Sequence, residues 1–180
     1  MEKEGGLNME PEKVVHPFAP VFDEDSRVLI LGSLPSVKSR EQQFYYGHPQ
    51  NRFWKMLSAC LDGPVLESVE QKEKFLHEHH IALWDVIHSC TIAGSSDASI
   101  RDVCANDLND ILGHSQVNMI ICNGKAAEKY YRKFQLKQTG IEPVVLPSTS
   151  PANAAWSLSR LVEAWKPVLM EGLGKQEVEV

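Results

Sequence analysis

The run Val28-Leu29-Ile30-Leu31, closed by Gly32, is apolar without interruption. A strand with one wet face alternates apolar and polar residues. A continuous run instead suits a strand covered on both sides, as in a parallel sheet flanked by helices. Three more short apolar runs follow: Ile81 to Val86, Val117 to Cys122 and Pro143 to Leu146. Between and after them, apolar residues recur at helical spacing. Phe53, Leu57, Cys60 and Leu61 predict a helix from about Arg52 to Leu61, and Glu67 to His79 predicts a charged helix anchored by Phe75 and Leu76. Helices are also predicted over Ile100 to Leu112, Lys125 to Phe134 and Pro151 to Leu169. The alternation implies an α/β class, with a three-layer α/β/α sandwich around a mainly parallel four-stranded sheet. Thr91 to Ser96 reads as a loop. The expected organisation is an irregular acidic leader over 1–26, broken by Pro11, Pro17 and Pro20, a single α/β domain over 27–170, and an acidic tail over 171–180.

The chain has 180 residues, 43% hydrophobic and 23% charged, enough for one domain with a substantial core. No apolar run approaches the roughly 20 residues that span a bilayer, and the first 20 residues lack a signal core, so no membrane association is expected. Cys60, Cys90, Cys104 and Cys122 contain no C-x-x-C pair. The expectation is therefore reduced thiols, no metal or iron–sulfur cluster, no other cofactor, and a cytoplasmic monomer. A net charge of −6 argues against a polyanionic partner until its distribution is considered. Residues 1–26 hold 7 acids and 2 bases and residues 171–180 hold 3 and 1, leaving 14 acids and 15 bases in between. Lys125, Lys129, Arg132, Lys133 and Lys137 cluster against Glu128 alone, which reads first as a solvated helix face and second as a phosphate-facing stripe.

Two segments carry the chemistry. Gly32-Ser33-Leu34-Pro35-Ser36 is a tight turn after the first apolar strand, where Gly allows close backbone approach and Pro35 fixes φ. Its amides suit a carbonyl oxygen, or it simply ends the strand. Tyr45-Tyr46-Gly47-His48-Pro49-Gln50-Asn51-Arg52-Phe53-Trp54 then gathers flat faces, a carboxamide and a cation. Tyr45 and Tyr46 can stack on a base or fill the core. Asn51 can cap the following helix or hold a water by its side-chain carbonyl. Arg52 can meet a phosphate or the solvent.

Asp85 closes a predicted strand, where a carboxylate can accept a base N–H or cap a loop. Ser148-Thr149-Ser150-Pro151-Ala152-Asn153 precedes the last helix, with Ser150 and Pro151 at its predicted N-cap and first turn, so Ser148, Ser150 and Asn153 are candidate phosphate contacts. His77, His79 and His80 fit a solvated helix end better than a metal site. A P-loop would need Gly where Met119 stands, and neither Gly-x-Ser-x-Gly nor His-Glu-x-x-His occurs.

Together these residues resemble the uracil-DNA glycosylase superfamily, and most nearly its hypoxanthine (deoxyinosine) DNA glycosylase branch. The resemblance spans about residues 16–170 and rests on Val28 to Ser36, Tyr46 to Trp54, Leu83 to Val86, and Leu146 to Asn153. It implies removal of a deaminated base, hypoxanthine or uracil, flipped out of DNA. It implies Asn51 as the catalytic residue, Gly32, Ser33, Tyr46 and Asp85 as base-binding residues, and Arg52, Ser148, Ser150 and Asn153 as DNA contacts. Two positions depart from the pattern. Leu34 stands where many relatives place a water-positioning Asp, Asn or Glu, and Ser148 where many place His. No lysine nucleophile is evident, so strand cleavage is not expected. The rival readings are a serine-type α/β hydrolase using Ser33 or Ser148, and a non-enzymatic nucleotide- or partner-binding module.

Overall fold

The computed structural model describes residues 10–94 and 96–175. In chain order its strands are β1 (Glu12–Val15), β2 (Val28–Gly32), β3 (Ile81–Asp85), β4 (Ile87–Ile92), β5 (Arg101–Ala105), β6 (Met119–Asn123) and β7 (Val144–Leu146). Its helices are α1 (Val37–Gln42), α2 (Phe53–Cys60), α3 (Val69–Glu78), α4 (Asn109–Gly113), α5 (Lys125–Phe134), α6 (Leu136–Thr139) and α7 (Leu158–Gly172).

The central sheet is parallel throughout, in the order β3-β2-β6-β7. Every residue of β2 is buried, as its unbroken apolar run requires. Alternate residues of this strand serve two cores. Val28 and Ile30 pack with Met56, Leu57, Leu161 and Trp165 of α2 and α7. Leu29 and Leu31 pack with Ile111 of α4 and with Tyr130 and Tyr131 of α5. The period-2 geometry of a strand thus divides one apolar run between the two outer layers.

A second sheet was not expected. β1, β4 and β5 form a three-stranded antiparallel sheet in the order β1-β4-β5. It corrects three expectations. Residues 12–15 of the supposed leader are a strand, residues 91–92 of the supposed loop belong to β4, and the supposed helix from Ile100 to Leu112 is β5 followed by the short α4. The apolar spacing of Ile100, Val103, Leu108 and Ile111 imitated a helix because it crosses from an edge strand into one. In β4 the register shifts on either side of Ser89, which breaks the alternation that marks a strand.

α7 begins at Leu158 with Ser157 as its N-cap, whose hydroxyl accepts from Arg160 N. The expected start at Ser150-Pro151 is therefore wrong by seven residues, and Pro151 to Trp156 is irregular chain that passes the ends of the strands. Residues 1–9 of the leader and 176–180 of the tail lie outside the described residues.

Burial separates the four thiols. Cys60, Cys90 and Cys122 are buried and Cys104 is exposed. Burial pushes the Cys60 and Cys122 thiols up to about 12 and that of Cys90 upward as well. A chromogenic disulfide reagent at mildly alkaline pH should therefore modify Cys104 quickly and the other three only in denaturant. Rapid modification of a second thiol would contradict this packing.

Candidate active site

In a parallel sheet all strands end on the same edge, and helices and loops leave a crevice there. Gly32 pairs with Asp85, and Asn123 with Leu146, so four strand ends lie side by side. They line a cavity of about 1030 Å³, closed by the loop around Tyr46 and Asn51 and by the chain from Ser148 to Trp156. Gly32, Ser33, Tyr46, Asn51, Asp85, Ser148, Ser150 and Asn153 all border it.

Asp85 forms the floor. Its carboxylate is almost fully buried, and Oδ2 lies 2.8 Å from His16 Nε2, itself equally buried. The other imidazole nitrogen, Nδ1, lies 2.8 Å from the Phe18 carbonyl oxygen. A carbonyl only accepts, so Nδ1 carries a proton. The Asp85 backbone is held in turn by Asn106 Nδ2, which donates to its carbonyl oxygen at 2.8 Å. His16 is a residue that sequence reasoning missed. It sits in the supposed leader, is carried into place by β1, and is 69 positions from its partner.

Gly32 has no side chain because there is no room for one. A Cβ there would overlap Asp85 Oδ1 and stand 3.0 Å from the Tyr46 hydroxyl. Asp85 Oδ1 and the Tyr46 hydroxyl therefore meet over the same backbone atom. Gly32→Ala should displace the carboxylate and cost about 1–3 kcal/mol, lowering the melting temperature by several degrees. Unchanged thermal denaturation would refute this close approach. The Ser33 carbonyl accepts from Ile87 N at 3.0 Å, so the group this turn can offer a ligand is an amide.

Tyr45 and Tyr46 both border the cavity and differ in their burial and partners. Tyr45 is buried in the core and its hydroxyl donates to Ala19 O at 2.8 Å. Tyr46 borders the cavity with its ring stacked on Phe53 at 4.1 Å. Its backbone is left-handed, φ 54°, a costly conformation for a bulky residue that holds only where surrounding packing imposes it. Its hydroxyl is buried beside Asn123 and makes no hydrogen bond of normal geometry. Burial, then the Asp85 charge, raises its pKa, so the phenol stays a protonated donor.

Asn51 lies one residue before the N-cap of α2, which is Arg52, and its side chain still satisfies a free amide of the first turn. Its Oδ1 accepts from Phe53 N at 2.9 Å at the start of α2, and from Thr149 Oγ1 at 2.9 Å. Thr149, fully buried, is clamped by Asn123, which accepts from Thr149 N and donates Nδ2 to Thr149 Oγ1, both at 3.1 Å. This Asn51–Thr149–Asn123 chain ties the aromatic loop to the ends of β6 and β7. Neither Thr149 nor Asn123 was assigned a role from sequence, because each looks like an ordinary polar residue after a strand.

Arg52 has a task other than the phosphate contact expected of it. Its guanidinium donates to the backbone carbonyls of Ser150, Asn153 and Trp156, which fixes the chain ahead of α7. Ser148 Oγ accepts from Ser150 N at 3.1 Å and Ser150 Oγ from Ala152 N at 3.2 Å, leaving each hydroxyl proton free to donate outward. Asn153 Nδ2 donates to Ser148 O. Gly124, φ 92°, lets α5 start against this loop, since a Cβ would stand 2.9 Å from Ser148 Cβ. Trp156, covered by the Arg160 guanidinium at 4.2 Å, lies at the cavity mouth. Neither Ser33 nor Ser148 pairs with a histidine among the described residues, which removes the geometry a serine hydrolase needs. No helix of the described residues is long and apolar enough to cross a membrane, and no group of three or more His, Cys, Asp or Glu among them is placed to hold a metal.

A family model described as the uracil DNA glycosylase superfamily matches residues 19–169. A hypoxanthine DNA glycosylase of Methanosarcina acetivorans is 39% identical over 154 residues, covering 84% of this chain and 95% of the relative. A protein of the same name from Methanosarcina barkeri is 34% identical over 139 residues, covering 76% and 86%. A solution NMR structure from M. acetivorans, described as a uracil DNA glycosylase, superposes with a TM-score of 0.74 at 36% identity, covering 87% of this chain and 96% of that one. With the strand-end cavity and these matches along most of its length, the chain belongs to the uracil DNA glycosylase superfamily.

Proposed function

We propose that this chain is a monofunctional DNA N-glycosylase that removes a deaminated base, hypoxanthine or uracil, from DNA and leaves an abasic site. One observation carries the reading. A stacking ring, Tyr46, a buried carboxylate oxygen, Asp85 Oδ1, and a carboxamide, Asn51, surround one space in a chain whose named relatives are hypoxanthine DNA glycosylases.

A nucleotide rotated out of the helix costs a few kcal/mol of stacking and pairing, least for a poorly paired deaminated base. Its ring lies on Tyr46, an amide of the Gly32-Ser33 turn meets a ring carbonyl, and Asp85 Oδ1 accepts the ring N–H. The bond between the sugar carbon and the base nitrogen then stretches, its electron pair passing to the base and positive charge to the sugar. A water bound at Asn51 adds its oxygen to that carbon and releases its proton to solvent. For Asn51 Oδ1 to accept a water proton, the Thr149 hydroxyl must turn aside, because its two lone pairs are already engaged. The hydroxyls of Ser148 and Ser150 and the Asn153 amide offer donors to the flanking phosphates.

The test is direct. Duplexes containing a single deoxyinosine or deoxyuridine are incubated with the protein and treated with hot alkali. Strand breaks that depend on the alkali are expected. Intact strands with every deaminated base, at protein in excess over DNA, would sink the reading.

A further inference from the structure

The His16–Asp85 pair beneath the cavity carries an inference beyond base excision itself. His16 Nδ1 must hold a proton to bond Phe18 O, and only one proton lies between Nε2 and Asp85 Oδ2. That proton can sit on nitrogen, giving imidazolium and carboxylate, or on Oδ2, giving neutral imidazole and acid. In both cases Oδ1, the oxygen beside Gly32 and the Tyr46 hydroxyl, carries no proton and only accepts.

We propose that His16 is the residue that positions Asp85 for base selection: by clasping Oδ2 it fixes Oδ1 as an obligate acceptor, so that the cavity takes bases with a ring N–H and refuses bases with a bare ring nitrogen. The inference rests on the assignment of this cavity to a flipped base. Its chemical content is specific. Adenine and cytosine present a lone pair at the ring nitrogen next to the exocyclic amino group. Deamination converts that nitrogen into N–H. An oxygen locked as acceptor therefore opposes the intact parent base by lone-pair repulsion and bonds the damaged one.

An unpartnered buried carboxyl would lose this property. Without a donor at Oδ2, burial favours the protonated acid, whose hydroxyl can face either way and can donate to a bare nitrogen. His16 also makes the pair neutral overall, so that Asp85 does not oppose the negative charge growing on the departing base. The other titratable groups facing the pair are the Tyr45 and Tyr46 phenols, whose pKa values are raised by burial and by Asp85; the buried Cys122 thiol acts on Tyr46. His48, Asp97 and Lys125 border the same cavity. All of these are common to every variant compared, so they cancel.

The experiment measures inhibition of excision by free hypoxanthine and by free adenine, from about pH 5.5 to 8.5, for the wild type, His16→Leu and His16→Gln. The wild type should favour hypoxanthine by a ratio that is flat with pH. In His16→Leu the ratio should fall by about tenfold or more towards acid pH, because the acid form accumulates there. His16→Gln, whose amide nitrogen still donates to Oδ2, should keep the wild-type ratio. A flat ratio in His16→Leu, or equal failure of both variants, overturns the proposal. Should His16→Leu not fold, long-range ¹H–¹⁵N spectra of the wild-type imidazole decide the matter: a proton on Nδ1 throughout supports it, and a bare Nδ1 overturns it. Failure of the underlying reading looks different, since the wild type would then release no base from any deaminated duplex, and the proposal would fall with it.

Discussion

Asp85→Ala should lower the unfolding free energy by about 3 kcal/mol and reduce hypoxanthine excision by at least about a hundredfold. The two losses have separate causes. Removing one member of a buried pair strands the other, and a buried pair broken in this way costs roughly 3–5 kcal/mol. The lower end applies because imidazole can shed its proton and avoid the buried charge. The second loss follows because the ring N–H of the base would enter a cavity floor that offers no acceptor. Asp85→Asn separates them. An asparagine can donate Nδ2 to a neutral His16 Nε2 and still present Oδ1 to the base, so it should keep most of the stability and most of the excision. Chemical denaturation and single-turnover excision measure the two effects. Equal loss in the asparagine and alanine variants would show that the negative charge, and not the acceptor, is what the site uses.

Asn51→Ala should be the most damaging change to catalysis, with a loss of about 10²- to 10⁴-fold. Its effect on stability should be smaller, about 1 kcal/mol, from the lost bond to Phe53 N. The two readings of Asn51 considered from sequence, helix cap and water holder, are distinguished by Asn51→Asp. Aspartate keeps an oxygen for Phe53 N and Thr149 Oγ1 and replaces the amide nitrogen by a second acceptor. It should therefore retain the stability and at least the wild-type rate. If Asn51→Ala excises base normally once its lower stability is allowed for, Asn51 is a cap and nothing more.

The central sheet was legible because its strands are mostly apolar runs and because α5 shows its amphipathic pattern without interruption. The predicted bounds of α5, Lys125 to Phe134, coincide with those found. The small antiparallel sheet was not legible. β5 has exposed and half-buried residues with little apolar content, Asp102 within it is left-handed at φ 53°, and β4 shifts register twice. Such strands exist through their pairing partners, and pairing between distant residues leaves no mark on a local pattern. The site shows the same division. Gly32, Tyr46, Asn51 and Asp85 could be nominated because their residue types and their positions at strand and loop ends carry meaning. What engages them could not. Nothing near Asp85 announces His16, nothing near Asn51 announces Thr149, and Arg52 looked like a phosphate ligand until its carbonyl partners were seen.

The strand β1 has a practical consequence for anyone trimming the chain. The match to the family model begins at residue 19, three positions after His16. A protein cut back to the matched segment would keep all four strands of the central sheet, but would lose Val14 from one apolar core and Leu173 from the other. It would also lack β1, which covers one edge of β4, and the imidazole beneath the cavity. Boundaries drawn from the family-model match alone would thus leave the Asp85 carboxyl without its imidazole partner under the cavity, and an altered choice of base in such a fragment would be mistaken for a property of the natural chain.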